Sequence, residues 1–249
     1  EVMVVNGRKW WTTGAMDTRC RVCLFLGVSD PSNDRYRRHS IVIIPMEAKG
    51  VQVVRPLHVF GYDDAPHGHA EVSFQNVRIP AAEAFLLGRG RGFEAAQRRL
   101  GPGRIHHCMR LVGLAERGLE MHLQRASKRR AFGKAIAEHG VAMRDIAMSR
   151  AEIEQVRLLC LAAARRLDDG VEAGSSRESR QWIAMIKLVA PSTACQVLDR
   201  AIQAHGGMGV CQDTVLPWLW AEARALRIAD GPDEVHAETV AKLELKRAK

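Results

Sequence analysis

The chain has no stretch approaching the roughly 18–20 unbroken apolar residues that a membrane-spanning helix needs, although 47% of it is hydrophobic. It has no internal repeat and no low-complexity segment, which excludes a solenoid or a tail-like interaction region. Its opening, Glu1-Val2-Met3-Val4-Val5-Asn6-Gly7, lacks a basic n-region and any Arg-rich amphipathic character, so no targeting segment is visible. The chain starts inside what reads as a strand, which suggests a fragment of something longer. Metal-site cysteine patterns are missing too. Cys20 and Cys23 have zinc-ligand spacing, but no second CxxC or His pair answers them. Residues 19–27 read as a strand, where an offset of three points the two thiols to opposite faces. With Cys108, Cys160, Cys195 and Cys211, they read as reduced, packed thiols of a reducing compartment.

What is present is a surplus of positive charge. The formal net charge of +9 invites an acidic partner: nucleic acid, an anionic surface or a phosphorylated cofactor. The densest basic clusters, residues 35–38 and 128–130, are short, and acids interrupt the rest, as on a solvated, mildly basic surface. A nucleic-acid binder would lose affinity steeply with salt. It would also leave the Trp10-Trp11 and Gly206-Gly207 segments without a role.

The first ~85 residues carry strand signals. Asn6-Gly7 between residues 2–5 and 8–13 predicts a hairpin with a type I′ turn. Further strands are expected at 19–27, 40–45, 51–56 and 70–74, separated by Asp30-Pro31-Ser32-Asn33, Lys49-Gly50 and Asp63-Asp64-Ala65-Pro66. After Pro80 the period changes. Ile105, Cys108, Val112, Ala115, Leu119 and Leu123 form one helical stripe, and Ile146, Ile153, Val156, Cys160, Ala163 and Leu167 another. Gly101-Pro102-Gly103 is expected to break the first of these helices near its start. A third helix spans about 179–205, with Pro191 disturbing its hydrogen bonds. Shorter ones follow near 217–228 and 232–246. The sum is an α+β chain: an antiparallel β-sandwich or barrel over 1–88, then an up-and-down four-helix bundle over 89–249.

Several motifs admit two readings. Gly88-Arg89-Gly90-Arg91-Gly92 is glycine-rich, but the strand before it belongs to an all-β region, so an interdomain turn fits better than a phosphate cradle. His205-Gly206-Gly207-Met208-Gly209 is either a glycine helix cap or a close approach of backbone to a ligand. His58, His67 and His69, like His106, His107 and Cys108, could bind a metal but lack carboxylates at suggestive spacing, so they read as structural or surface residues and no metal is expected. Trp10-Trp11 on a strand should send one indole inward and one outward, and the outward one asks for a domain or a flat ligand. Asp230-Gly231-Pro232-Asp233-Glu234 reads first as helix-start chemistry with Asp230 as N-cap.

Taken in order, five stretches resemble the acyl-CoA dehydrogenase family across nearly the whole chain. They are Asn6-Gly7-Arg8-Lys9-Trp10-Trp11-Thr12-Thr13, Gly90-Arg91-Gly92-Phe93, Arg129-Arg130-Ala131-Phe132-Gly133-Lys134, Gln203-Ala204-His205-Gly206-Gly207-Met208-Gly209 and Leu226-Arg227-Ile228-Ala229-Asp230-Gly231. The segments 229–236 and 100–107 look closest to the family member 10 and 11 subgroup. The resemblance implies a middle β domain, N-terminally incomplete here, and a C-terminal helical domain with FAD between them. The family's N-terminal helical domain has no counterpart in this sequence. Trp11 and Thr13 match residues flanking the flavin ring. Arg129, Phe132, Gln203, Gly206 and Gly207 match residues that reach the FAD of a neighbouring subunit, which implies a homodimer or homotetramer. Pro232 and Glu234 lie in the segment that contacts FAD. Asp230 falls where most members carry a catalytic Glu, and Arg104 matches a residue that steadies its loop. Ala131 stands where a threonine is usual, and Glu234 where Gln is frequent.

The implied activity is FAD-dependent α,β-dehydrogenation of acyl-CoA to 2-enoyl-CoA, with an electron-transfer flavoprotein as electron acceptor. The implied compartment is mitochondrial or peroxisomal in a eukaryote and cytoplasmic in a bacterium. The competing reading is a truncated, non-catalytic oligomerisation module of such an enzyme.

Overall fold

The computed structural model describes residues 2–172 and 177–248. Two compact units divide the chain, Glu1–Arg99 and Leu100–Lys249. The expected boundary at 88/89 lies in a turn. The division falls later because the residues after it stay with the sheet unit: the Gly90 amide donates to Ser40 Oγ at 2.8 Å, and Phe93 packs on Tyr36.

The first unit holds β1 (Val2–Thr13), β2 (Val22–Val28), β3 (His39–Pro45), β4 (Val51–Leu57) and β5 (His69–Pro80), then the helical turn α1 (Ala81–Ala84) and the short β6 (Phe85–Leu86). They form two three-stranded antiparallel sheets, ordered β1-β5-β4 and β2-β3-β6. One core joins the sheets, with Phe25 of β2 and Phe74 of β5 meeting edge-on at 4.8 Å. This is an open sandwich; a cleft of about 1020 Å³ runs between the Asn6-Gly7 region of β1 and the Phe25-Gly27 region of β2.

Strand β5 shows how the core is chosen. Ala70, Val72 and Phe74 alternate inward, then Asn76 takes φ +50° and the buried set shifts phase to Val77 and Ile79. A bulge adds one residue and moves every later side chain to the other face. The same bulge corrects the expected hairpin. Residues 2–13 form one continuous strand on β5, and Asn6 Oδ1 accepts from the Asn76 amide at 2.8 Å. Asn-Gly is a local turn signal, and here the pairing partner turned it into a bulge instead.

A second irregularity, between Lys9 and Thr12, corrects the Trp pair. Trp11 sits at φ +58°, alternation fails, and both indoles stay exposed, at 63% and 42%. Cys20 precedes β2 rather than lying in it, while Cys23 is buried.

The second unit is helical: α2 (Gly92–Lys128, its first turns belonging to the sheet unit), α3 (Gly140–Glu172), α4 (Arg177–His205), α5 (Leu216–Ala225) and α6 (Asp233–Arg247). Between α2 and α3 stand a two-residue hairpin, β7 (Arg130–Ala131) with β8 (Lys134–Ala135), and a short 3₁₀ turn. Another 3₁₀ turn, Gly206–Val210, follows α4. Contrary to expectation, α2 runs unbroken through Gly101-Pro102-Gly103; α4 carries Pro191 inside it, as expected of the third helix. A proline removes one amide donor, which a long helix tolerates when packing holds both sides.

The α2 stripe buries Cys108, Leu111, Val112, Ala115 and Leu119 against Ile153, Val156 and Cys160 of α3 and Ile186, Ala190 and Leu198 of α4. Leu123, expected in the stripe, is 41% exposed, and Ala126 is buried in its place. At Gly118 a Cβ would come within 2.8 Å of Leu198 Cδ2, so glycine sets how near α2 and α4 approach. Burying a side chain such as Leu198 contributes about 1.5–3 kcal/mol. The thiols of Cys108 and Cys160 are free and fully buried; the hydrogen bond to Cys160, with burial, holds the Cys108 thiol up, far from thiolate.

Candidate functional site

The chain leaves α5 in a tight turn, with Ile228 and Ala229 amides both donating to Ala225 O at 3.0 Å. Asp230 then takes φ +58° and Gly231 φ +105° before α6 starts at Asp233. The residue at the N-cap of α6 is Pro232, which makes no side-chain cap, and so Asp230 is not the N-cap the sequence suggested. The acid used at the helix start is Asp233, which accepts from Arg227 Nε at 2.7 Å. Asp233 and Glu234 also oppose the positive end of the helix dipole.

Left-handed backbone at a non-glycine residue is costly and needs holding. Arg104 of α2 supplies one grip: its Nε donates to Asp230 O at 2.9 Å. One turn on, His107 Nε2 lies 3.2 Å from Asp230 Oδ2, at ion-pair distance, with both side chains about one-fifth exposed. An i, i+3 pair on one helix face thus meets the carbonyl and the carboxylate of the same residue. Lys187 of α4, fully buried, donates from Nζ to Leu226 O at the head of the turn. Burial pushes both Lys187 and Arg104 below their ordinary values, while the negative charge of Asp230 opposes the shift in each. Behind the loop, Gly231 leaves no room for a side chain, since a Cβ would stand 2.9 Å from His236 Nε2. His236 is buried, and desolvation, then Arg104 and Lys187, hold it below the usual histidine range.

The structure brings together Arg104, Asp230, Pro232 and, at the start of α6, Glu234. Gln203, Gly206 and Gly207 cluster at the end of α4, where Gly206 takes φ +63° and nothing lies within 4 Å of a Cβ placed on Gly206 or Gly207. The cap reading of Gly206 is therefore correct, and the same residues present open, exposed backbone. Arg129 precedes the β7–β8 hairpin, whose tip carries Phe132 at φ +52°, 97% exposed. In the sheet unit Trp11 and Thr13 are both exposed on β1.

Sequence reasoning missed Lys187 and passed over His107 and His236. A lone lysine inside the apolar run Ile186-Lys187-Leu188 was the available signal, because lysine is almost never fully buried without a partner.

Residues 90–245 match the family described as acyl-CoA dehydrogenase, C-terminal domain, and residues 1–77 match the acyl-CoA dehydrogenase, middle domain. The chain belongs to the acyl-CoA dehydrogenase family. It is 56% identical over 245 residues to "Probable acyl-CoA dehydrogenase IBR3" of Arabidopsis thaliana, covering 98% of this chain and 29% of that protein. It is 54% identical to acyl-CoA dehydrogenase family member 10 of Mus musculus, covering 98% of this chain and 22% of that one. A solved protein of Mycobacterium abscessus, described as an acyl-CoA dehydrogenase, superposes with a TM-score of 0.95 at 49% identity, over 100% of this chain and 60% of that chain. The chain therefore spans less than a third of the length of the two curated relatives.

Proposed function

We propose that this chain carries the proton-abstracting and flavin-contacting residues of an FAD-dependent acyl-CoA dehydrogenase. The observation that carries the reading is Asp230. Its backbone is locked in a left-handed conformation by Arg104, and its carboxylate stands beside His107, 3.2 Å from Nε2. A carboxylate held in this way suits a general base, which must meet its proton in one geometry.

The residues present fit FAD. Trp11 offers an exposed aromatic face beside the Thr13 hydroxyl. Gly206 and Gly207 offer open backbone, and Arg129 an exposed cation, suited to a pyrophosphate. Bound FAD would supply the acceptor for the β-hydride of the acyl thioester. Asp230 takes the α-proton onto its carboxylate, and Arg104 keeps the loop from yielding as that charge is neutralised. Phe132, at the tip of an exposed hairpin, and Arg129, just before it, serve a second copy of the chain in a homodimer or homotetramer. An electron-transfer flavoprotein would be the partner that takes up the electrons the bound flavin receives.

The test is direct. Purified protein should retain FAD near one per chain, and anaerobic mixing with an acyl-CoA should bleach it. Protein that takes up no flavin, or flavin that no acyl-CoA bleaches, overturns the reading.

A further inference from the structure

Two residues of α2 reach the loop that carries Asp230. Arg104 Nε donates to Asp230 O at 2.9 Å, and His107 Nε2 lies 3.2 Å from Asp230 Oδ2. The two grips stand one turn apart on a single helix, so their spacing is rigid. The Asp233 amide donates to Arg227 O at 3.2 Å and closes the loop behind them. Asp230 Oδ2 is buried. His107 Nδ1 is buried too, and among the described residues no hydrogen-bond partner meets it. Arg104 acts on the carbonyl, so it cannot choose between the two carboxylate oxygens; His107 can.

The place of the ring hydrogen follows from this geometry. An ionised carboxylate only accepts, so the ring nitrogen that faces it is the one that bears hydrogen. A hydrogen on Nδ1 would be a buried donor without an acceptor, which is costly. With its main chain held, Asp230 keeps two side-chain torsions, and the second is broad in carboxylates. One contact at Oδ2 fixes it. We propose that His107 is a positioning residue that holds Oδ2 of Asp230 and so presents Oδ1 to the α-proton of the thioester. The inference rests on the reading of Asp230 as the base. The proton passes from the α-carbon to Oδ1, and the electron pair of that C–H bond becomes the new C=C bond as the β-hydride departs to bound FAD. His107 neither gains nor loses a proton in the step.

Two measurements decide it. Ring-nitrogen NMR of His107 in the protein without FAD should show hydrogen on Nε2, and Asp230→Ala should move that resonance. A bare Nε2, or a resonance indifferent to Asp230→Ala, overturns the proposal. In the FAD-loaded protein, His107→Ala should lower the limiting rate of flavin bleaching about 10²-fold, the effect of a misplacement near 1 Å, with the half-saturating acyl-CoA concentration unchanged. His107→Leu, which keeps the bulk without a donor, should be as slow. His107→Gln, whose amide nitrogen can stand where Nε2 stood, should recover most of the rate. Adding His107→Ala to Asp230→Asn should cost nothing further, because a positioning residue acts only through the group it positions. A further fall in that double variant, or wild-type bleaching in His107→Leu, sinks the proposal alone. Wild-type protein whose flavin no acyl-CoA bleaches sinks it together with the function proposed above.

Discussion

In the sheet unit the Thr13 hydroxyl is met by side chains: it lies 3.0 Å from His69 Nδ1, and His69 Nε2 lies 2.9 Å from Asp64 Oδ2. In the helical unit a carboxylate is directed through its backbone, because Arg104 and Lys187 grip the carbonyls of residues 230 and 226. The two arrangements should respond differently to mutation. Where side chains relay an orientation, a neutral isostere at one link redirects the next. Where cations hold carbonyls, the residue on the loop can change its side chain while its placement survives.

That contrast is sharpest at Asp230. Asp230→Asn should leave folding and FAD content intact and slow flavin bleaching by about 10²- to 10⁴-fold, the range of a general base. Asp230→Glu should recover only part of the rate, since a misplacement of about 1 Å can cost ~100-fold. Wild-type bleaching in Asp230→Asn would remove Asp230 from the chemistry and leave the loop a purely structural turn.

The next effects are on stability. Phe74→Ala removes a nearly fully buried ring from the core beneath the Thr13 strand and should cost about 3–5 kcal/mol by chemical denaturation. Gly231→Ala should cost about 1–3 kcal/mol, because its φ of +105° is strained for alanine and the new Cβ meets His236. A Gly231→Ala protein as stable as wild type would mean that the loop is not held as described.

A smaller effect concerns pH. His236 titrates below its ordinary value in the folded chain, as does buried His122, so on acidification the unfolded chain binds these protons first. Stability from this source is present in full above about pH 6.5 and drains as the pH falls below it. His236→Gln should flatten the acid limb of a stability-versus-pH curve, and an unchanged limb would assign the loss elsewhere. The smallest effect is expected at Phe132. With 97% of it exposed, Phe132→Ala should shift stability by no more than about 0.5 kcal/mol, yet weaken flavin retention on gel filtration.

The helical unit was more legible than the sheet unit, for a physical reason. Helical stripes are local, so Cys108, Val112, Ala115 and Leu119 announce their face within a few turns. Strand register depends on a distant partner. Asn6-Gly7 could not reveal that Asn76, seventy residues on, would convert a turn signal into a bulge. The bulge at Trp11 was hidden in the same way. The candidate site divided along similar lines: Arg104 and Asp230 could be proposed from their motifs, and they do meet. Lys187, His107 and the Thr13–His69 pair act through contacts between segments remote in sequence or across a strand pair, which no single stretch encodes.

The distribution of thiols has a consequence for watching the molecule breathe. Cys20 and Cys211 are partly exposed, whereas Cys23 sits inside the sheet core and Cys108 and Cys160 lie sealed in the bundle. An alkylating reagent can reach the sealed sulfurs only when the structure around them opens. Mass spectrometry of timed alkylation would therefore act as a pair of clocks, Cys23 for one unit and Cys108 with Cys160 for the other, and would show which half of the chain opens first.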